Sequence, residues 1–278
     1  MRNLYLLLIT VFTVFSSCKK EIDVSSGNNS REKESLLKDQ VLLKDIVIAT
    51  LPAPYYHFEY DSTSKASFVS FASDFTRYNI VYRNKKIDEL RNNILVNKDR
   101  LHYVYDSLGR VTLVRYLDAT GAVFTKVKLA YNGQKLIKLS RLRKSGTDFV
   151  VDKTMKFSYQ PDGNLSVIDY HYPPFGAQTE TSFRDKFENY DNKRNVDGFS
   201  LVHNDFFDHL VFLPDVQFQV NNPTKETRSG DGTNYVVNYT YTYNDKNLPL
   251  TKKGKLTITS TGSDQGNVIS TSTTYSYY

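Results

Sequence analysis

From Val41 onward, aromatic and aliphatic residues alternate with polar ones in short runs, and each run ends on a turn signal. The unit is an aromatic, one residue, an aromatic or aliphatic, then Asp or Asn, followed by two to four turn residues and another alternating stretch. Tyr103-Val104-Tyr105-Asp106-Ser107-Leu108-Gly109-Arg110-Val111 is the clearest copy. Other copies are Phe58-Glu59-Tyr60-Asp61, Ile80-Val81-Tyr82-Arg83-Asn84, Leu129-Ala130-Tyr131-Asn132-Gly133, Phe157-Ser158-Tyr159-Gln160-Pro161-Asp162-Gly163 and Tyr241-Thr242-Tyr243-Asn244, with Phe218-Gln219-Val220-Asn221 as a variant. The anchor tyrosines at 60, 82, 105, 131 and 159 lie 22, 23, 26 and 28 residues apart, the self-similarity of a repeat architecture.

Period-two alternation puts one face of a strand in a core. Asn132-Gly133 fits a two-residue type I′ turn, and Pro161-Asp162-Gly163 a slightly longer one with glycine in the left-handed position. Each unit is therefore a β-hairpin, and most connections are too short for parallel crossovers. The expected fold is all-β: a large curved antiparallel meander of about a dozen strands, which curls or closes because so wide a sheet must twist. Between Thr179 and Val216 the alternation fades. Asn204 to Phe212 carries apolar residues at helical spacing and Pro214 follows, which predicts one short helix over 204–212.

The first forty residues differ in character. Arg2 precedes a twelve-residue apolar stretch, Leu4 to Phe15, then Ser16, Ser17 and Cys18, the only cysteine of the chain. That is a signal peptide over 1–17 ending at a cysteine. Residues 18–40, with Ser25-Ser26-Gly27-Asn28-Asn29-Ser30 and Arg31-Glu32-Lys33-Glu34, read as a polar tether, and 41–278 as the hairpin domain. The segment Phe15-Ser16-Ser17-Cys18 resembles a bacterial lipoprotein signal, with phenylalanine where leucine is usual. The resemblance implies cleavage before Cys18 and its acylation, and Lys19 in place of aspartate implies the outer membrane. The membrane is then the first partner, reached through the lipid anchor.

Tyr105-Asp106 to Val111 resembles the YD repeat of Rhs-type surface proteins. The lipoprotein start, Pro54 to Asp61, Tyr190-Asp191-Asn192-Lys193-Arg194-Asn195, Asn221-Asn222-Pro223 and Tyr239 to Asn244 resemble a family of uncharacterised Gram-negative outer-membrane lipoproteins with a porin-like domain. This implies a curved tyrosine-rich sheet and no particular activity.

Composition narrows the chemistry. Lys plus Arg is 36 against 30 acids, a net charge of +6, without a run of five or more basic residues, so nucleic acid is not an expected partner. One cysteine excludes a disulfide framework and cysteine-ligated metals. No serine-hydrolase, zinc-protease or phosphate-loop motif is present. His203, Asp205, Asp208 and His209 form the one cluster of metal-capable residues, and it reads as a helix start with acids near its positive end. Asp191 to Gly198 and Gly230-Asp231-Gly232 read as turns, since Lys193 and Thr233 stand where a calcium loop needs acids. Glu59, Asp61, Glu180, Asp185 and Glu188 are the acids available to a glycosidase, and the tyrosines could stack on sugars, although tryptophan, the usual platform, is missing. The expectation is a non-enzymatic envelope module that binds or scaffolds, without cofactor or metal, its partner a glycan or another envelope protein. The alternative is a carbohydrate-active enzyme or glycan-binding protein on the same sheet. A membrane-embedded barrel needs an apolar outer band, and Leu256 to Thr261 and Ser270 to Thr274 are too polar for one.

Overall fold

A computed structural model describes residues 41–94, 98–203, 210 and 212–278. Signal peptide, tether and Cys18 lie outside these residues. Val41–Tyr278 forms one compact unit. Its strands are β1 (Leu43–Ile48), β2 (Tyr56–Tyr60), β3 (Ala66–Phe71), β4 (Thr76–Arg83), β5 (Lys86–Asn92), β6 (Arg100–Tyr105), β7 (Val111–Leu117), β8 (Val123–Asn132), β9 (Lys135–Ser145), β10 (Asp148–Tyr159), β11 (Leu165–Tyr172), β12 (Thr181–Arg194), β13 (Asn221–Gly230), β14 (Tyr235–Tyr243), β15 (Pro249–Ile258) and β16 (Val268–Tyr277). Every strand pairs antiparallel with its sequence neighbours, and β1 pairs with β16, so the sheet closes into a barrel. The sequence led to about a dozen strands in an open or closed sheet; the barrel has sixteen, one of them Thr181–Arg194, where charged residues alternate with Phe183, Asp185 and Phe187.

The inward and outward faces follow from register. Leu129, Leu139, Met155, Tyr170 and Phe183 stand opposite one another across β8 to β12 and form an inward row. One residue along, Ala130, Lys138, Lys156, Asp169 and Arg184 form the outward row. On β14 to β16 the outward positions are Asn238, Thr240, Lys253, Lys255, Ser270 and Ser272. The lumen is therefore the apolar side and the outer wall the polar one.

Sixteen-stranded barrels are commonly wide enough to leave a channel. Here the connection between β12 and β13 fills the lumen. It carries a 3₁₀ helix, Gly198–Val202, and its Phe199 packs edge-on against Tyr56 and Phe58 and Phe212 edge-on against Phe58, while Phe218 meets Phe157 at a tilt. Val69, Leu90, Val111, Val114, Met155, Leu165 and Ile168 are fully buried around it. The helix expected over 204–212 falls largely outside the described residues (204–209 and 211); Leu210 and Phe212 are not helical, and the helical turn that does form lies earlier.

The repeat has a structural meaning. On every even-numbered strand one tyrosine hydroxyl donates to a backbone carbonyl at the start of the preceding odd strand: Tyr60 to Leu43, Tyr82 to Ala66, Tyr105 to Ile87, Tyr131 to Val111, Tyr159 to Leu136, Tyr190 to Leu165, Tyr241 to Pro223 and Tyr277 to Pro249, at 2.6–2.9 Å. The ladder breaks register beside Tyr60, Tyr82, Tyr105, Tyr131 and Tyr159, so a bulge turns each ring toward its acceptor. The following Asp or Asn closes the turn: Asp106 Oδ1 accepts from the amides of Leu108 and Arg110, and Asn244 Oδ1 from those of Lys246 and Leu248. Tyr190-Asp191 is thus a true copy, whereas the Phe218 variant belongs to the lumen-filling connection and not to the girdle. Tyr105→Phe is expected to destabilise by about 1–2 kcal/mol, the effect of one lost hydrogen bond with its carbonyl left partly buried, as read by denaturant unfolding.

Gly133 and Gly163 have φ of 56° and 91°, as the turn residues require. The turn at Gly133 is displaced by one residue from the sequence reading. Asn132 pairs with Lys135 and stays in β8, so the loop is Gly133-Gln134, with glycine alone at positive φ. A β-branched side chain is excluded there, and Gly133→Val is expected to lose about 1–3 kcal/mol from backbone strain alone, since no atom lies within 4 Å of a Cβ built at that position.

Candidate functional site

The barrel offers several concave places and a set of buried charges. At the end that carries the tyrosine girdle, a cavity of about 470 Å³ opens between Tyr82, Tyr105, Lys86, Phe58, Phe212 and Asp215. Its tyrosines are already committed: both hydroxyls donate to backbone, and Lys65 and Lys86 sit 5.6 and 4.9 Å from the ring centres of Tyr82 and Tyr105. Arg110 and Lys135 cover Tyr131 and Tyr159 in the same way. Burial pushes the phenols of Tyr60, Tyr105 and Tyr131 up to about 12, so they remain neutral donors at physiological pH.

At the opposite end, a cavity of about 440 Å³ is lined by Arg141, Arg143, Lys144, Asp99, Phe124 and Phe175. Behind it lies Asp152, with no exposed surface, at a bulge in β10. Arg141 binds it through two nitrogens at 2.9 and 3.0 Å, and Arg143 approaches to 3.5 Å. Lys153, also buried, stands opposite Arg141 in the inward row.

A third hollow, about 460 Å³, lies on the outer wall where β1 meets β16. There Asp45 accepts from His57 Nδ1 at 2.6 Å and from the Ser276 hydroxyl at 3.0 Å. Serine, histidine and aspartate thus meet, but in the wrong order for nucleophilic catalysis. The serine proton goes to the carboxylate, and His57 Nε2 faces Glu59 at 3.5 Å instead of the serine. The group staples the closing seam of β16, β1 and β2.

On β12 and β13, Arg228 makes a two-pronged pair with Asp185 at 2.6 and 2.7 Å and lies 4.3 Å from the centre of the Phe183 ring. Beside it Glu226 receives the hydroxyls of Tyr235 and Tyr239 at 3.3 and 2.7 Å. Burial, and then the Asp185 charge, raise the Glu226 carboxyl. Asp197 goes the other way: burial acts to raise it, but Lys252, Tyr275 and Asn195 together hold it below the usual range. A carboxyl raised in the fold binds its proton more tightly folded than unfolded. Its stabilising contribution is therefore present below the unfolded value and is lost as pH climbs through the folded one. Glu226→Gln is expected to flatten that loss of stability above about pH 4.5, measured as thermal midpoints along a pH series.

The residues singled out in the sequence do not converge. His203 is buried, its Nδ1 3.0 Å from the Tyr56 hydroxyl, and Asp205, Asp208 and His209 lie outside the described residues. Glu59 and Glu180 face His57 and His171, Asp61 caps a turn, Asp185 holds Arg228, and Glu188 pairs with Lys186 and Lys225. Asp191 accepts from the Lys193 and Asn222 amides and the Tyr243 hydroxyl, and Asp231 from the Ser182 amide, so both glycine-bounded loops are turn chemistry. Among the described residues no group of three metal-capable side chains comes together. The Arg141–Asp152 and Asp185–Arg228 pairs escaped the sequence reading, though a charge at an inward position of a strand is a signal that parity alone could raise.

No family model and no curated protein matches the chain. Solved structures do resemble it in fold. A porin-like protein from Bacteroides uniformis ATCC 8492 aligns with a TM-score of 0.53 at 11% identity, over 80% of this chain and 89% of that one. A porin-like protein from Bacteroides vulgatus ATCC 8482 aligns with a TM-score of 0.56 at 15% identity, over 85% and 99%. The chain therefore has the all-β, closed-meander barrel fold of these porin-like proteins.

Proposed function

We propose that the protein is a lipid-anchored module of the outer membrane, periplasmic or surface-facing, that binds or scaffolds and does not catalyse. The observation that supports this best is the polarity of the barrel. A barrel that crosses lipid turns apolar residues outward, and one lysine or arginine facing the bilayer centre costs about 2–4 kcal/mol. Here the outward positions hold Lys128, Lys138, Lys156, Arg184 and Lys253, while the lumen is packed. Such a wall belongs in water, and attachment then falls to the acyl chains of Cys18, with the tether over 18–40 holding the barrel off the surface. The glycan-binding alternative finds less support, because the girdle tyrosines have their hydroxyls on backbone and cations on their rings.

Cell fractionation with a salt wash tests the anchor. After about 1 M salt, which shortens electrostatic reach to about 3 Å, the wild-type chain is expected to stay with membranes until detergent is added, and Cys18→Ser to wash off. A Cys18→Ser protein that resists the wash as the wild type does would overturn the reading.

A further inference from the structure

The outward face of β7 to β10 differs from the rest of the wall. On several other strands outward charges are matched: Arg184 with Asp169 at 2.6 Å, Lys186 with Glu188 at 2.6 Å, and Arg91 with Glu89 at 2.6 Å, while Lys253 and Lys255 on β15, unmatched among the described residues, stand as a lone pair on one strand. On β7 to β10 the outward positions carry Arg115, Lys126, Lys128, Lys138, Lys144 and Lys156, and none of these makes an ion pair among the described residues. Asp169 stands opposite Lys156 on the far side, but its carboxylate is taken by Arg184.

Two of the pairings set like charges face to face. Arg115 is opposite Lys126, and Lys138 is opposite Lys156. Side chains so placed have Cβ atoms about 4.5–5.5 Å apart, and like charges there work against the sheet. Lysines 128, 138, 144 and 156 are exposed, and Lys126 lies 3.8 Å over the Phe149 ring. The wall thus presents an array of unmatched positive charge, four strands wide.

We infer that this wall docks on a phosphate-bearing, anionic lipid surface. The inference rests on the lipid-anchored reading for its choice of partner. A barrel tethered by about twenty residues stays within a few nanometres of headgroups, and charge then decides which wall turns toward them. A patch of several neighbouring cations meets many phosphates at once on a headgroup surface, and each lysine near an anionic surface adds an attraction that falls off within a Debye length. The opposed pairs, unfavourable in the free barrel, are relieved when anions lie between them.

Vesicle sedimentation with the full chain carrying Cys18→Ser tests this without the acyl anchor. The probes are phosphatidylcholine vesicles with and without about one-third phosphatidylglycerol, at low and high salt, compared with a soluble polyuronate. Binding is expected to the anionic vesicles only and to vanish at high salt. Lys138→Glu with Lys156→Glu should weaken it by about tenfold or more. Lys253→Glu with Lys255→Glu, an equal charge change on β15, should leave it within about twofold, with circular dichroism showing both variants folded. Binding to neutral vesicles as well, no binding to anionic ones, equal loss in both variants, or a wall whose mutation affects only polyuronate binding would each overturn the proposal. The outcome is separate from the anchor's, which is read in cells after the salt wash.

Discussion

Asp152→Ala is expected to destabilise the barrel by about 3–5 kcal/mol, the usual consequence of leaving buried charge uncompensated. The carboxylate has no exposed surface and is the anion that Arg141 grips through two nitrogens, with Arg143 nearby. Truncation takes from the buried Arg141 guanidinium the carboxylate that it grips through two nitrogens. Replacing the pair together, Arg141→Met with Asp152→Leu, removes both charges and should recover much of the loss, because an apolar pair of similar size avoids the desolvation penalty altogether. Urea unfolding of the three proteins checks this. An Asp152→Ala protein as stable as the wild type would show that the pair is hydrated and not a buried one.

Phe58→Ala is expected to lose about 3–5 kcal/mol, through lost transfer energy and the cavity left behind. The ring is almost wholly buried and meets Phe199 and Phe212 edge-on at 5.6 and 6.0 Å, so it joins the wall to the connection that fills the lumen. The loosened connection should also become sensitive to limited proteolysis within 195–220. Phe75→Ala, at a ring that is 78% exposed, should change stability by less than about 0.5 kcal/mol in the same assay. Equal effects from the two would mean that the connection contributes nothing to the packing.

Much of this fold is written in the order of residues. The Tyr-x-Tyr-Asp unit is legible because each part does a local job: alternation makes the strand, the aspartate or asparagine closes the turn, and glycine takes the left-handed position. The role of the tyrosine itself was not legible. Its acceptor lies 16 to 28 residues back, and the bulges that stand beside five of these tyrosines have no local signature. Closure was equally hidden, since pairing of β1 with β16 joins residues more than two hundred positions apart, and the Asp45–Ser276 contact has no local signature. The turn at Gly133 moved by one residue because Asn132 and Lys135 pair as strand residues, which a dipeptide rule does not see. The candidate acids of the sequence proved to be turn caps and ion-pair partners. Of the buried pair Arg141–Asp152, Arg141 keeps the inward parity of Leu139, but Asp152 sits at the bulge between Val151 and Lys153, where strict alternation loses count.

The central claim is that the barrel keeps its apolar face inside and its outer wall in water. Cysteine labelling in intact membranes tests it most directly. Thr240→Cys and Ser270→Cys place thiols on the outward face of β14 and β16, and Val127→Cys and Leu139→Cys place them on the inward face of β8 and β9. A water-soluble maleimide is expected to modify the first two at the rate of a free thiol and to reach the second two only after denaturation. Outward positions that are shielded by the bilayer, with inward positions that label freely, would identify a lipid-spanning pore and contradict the account.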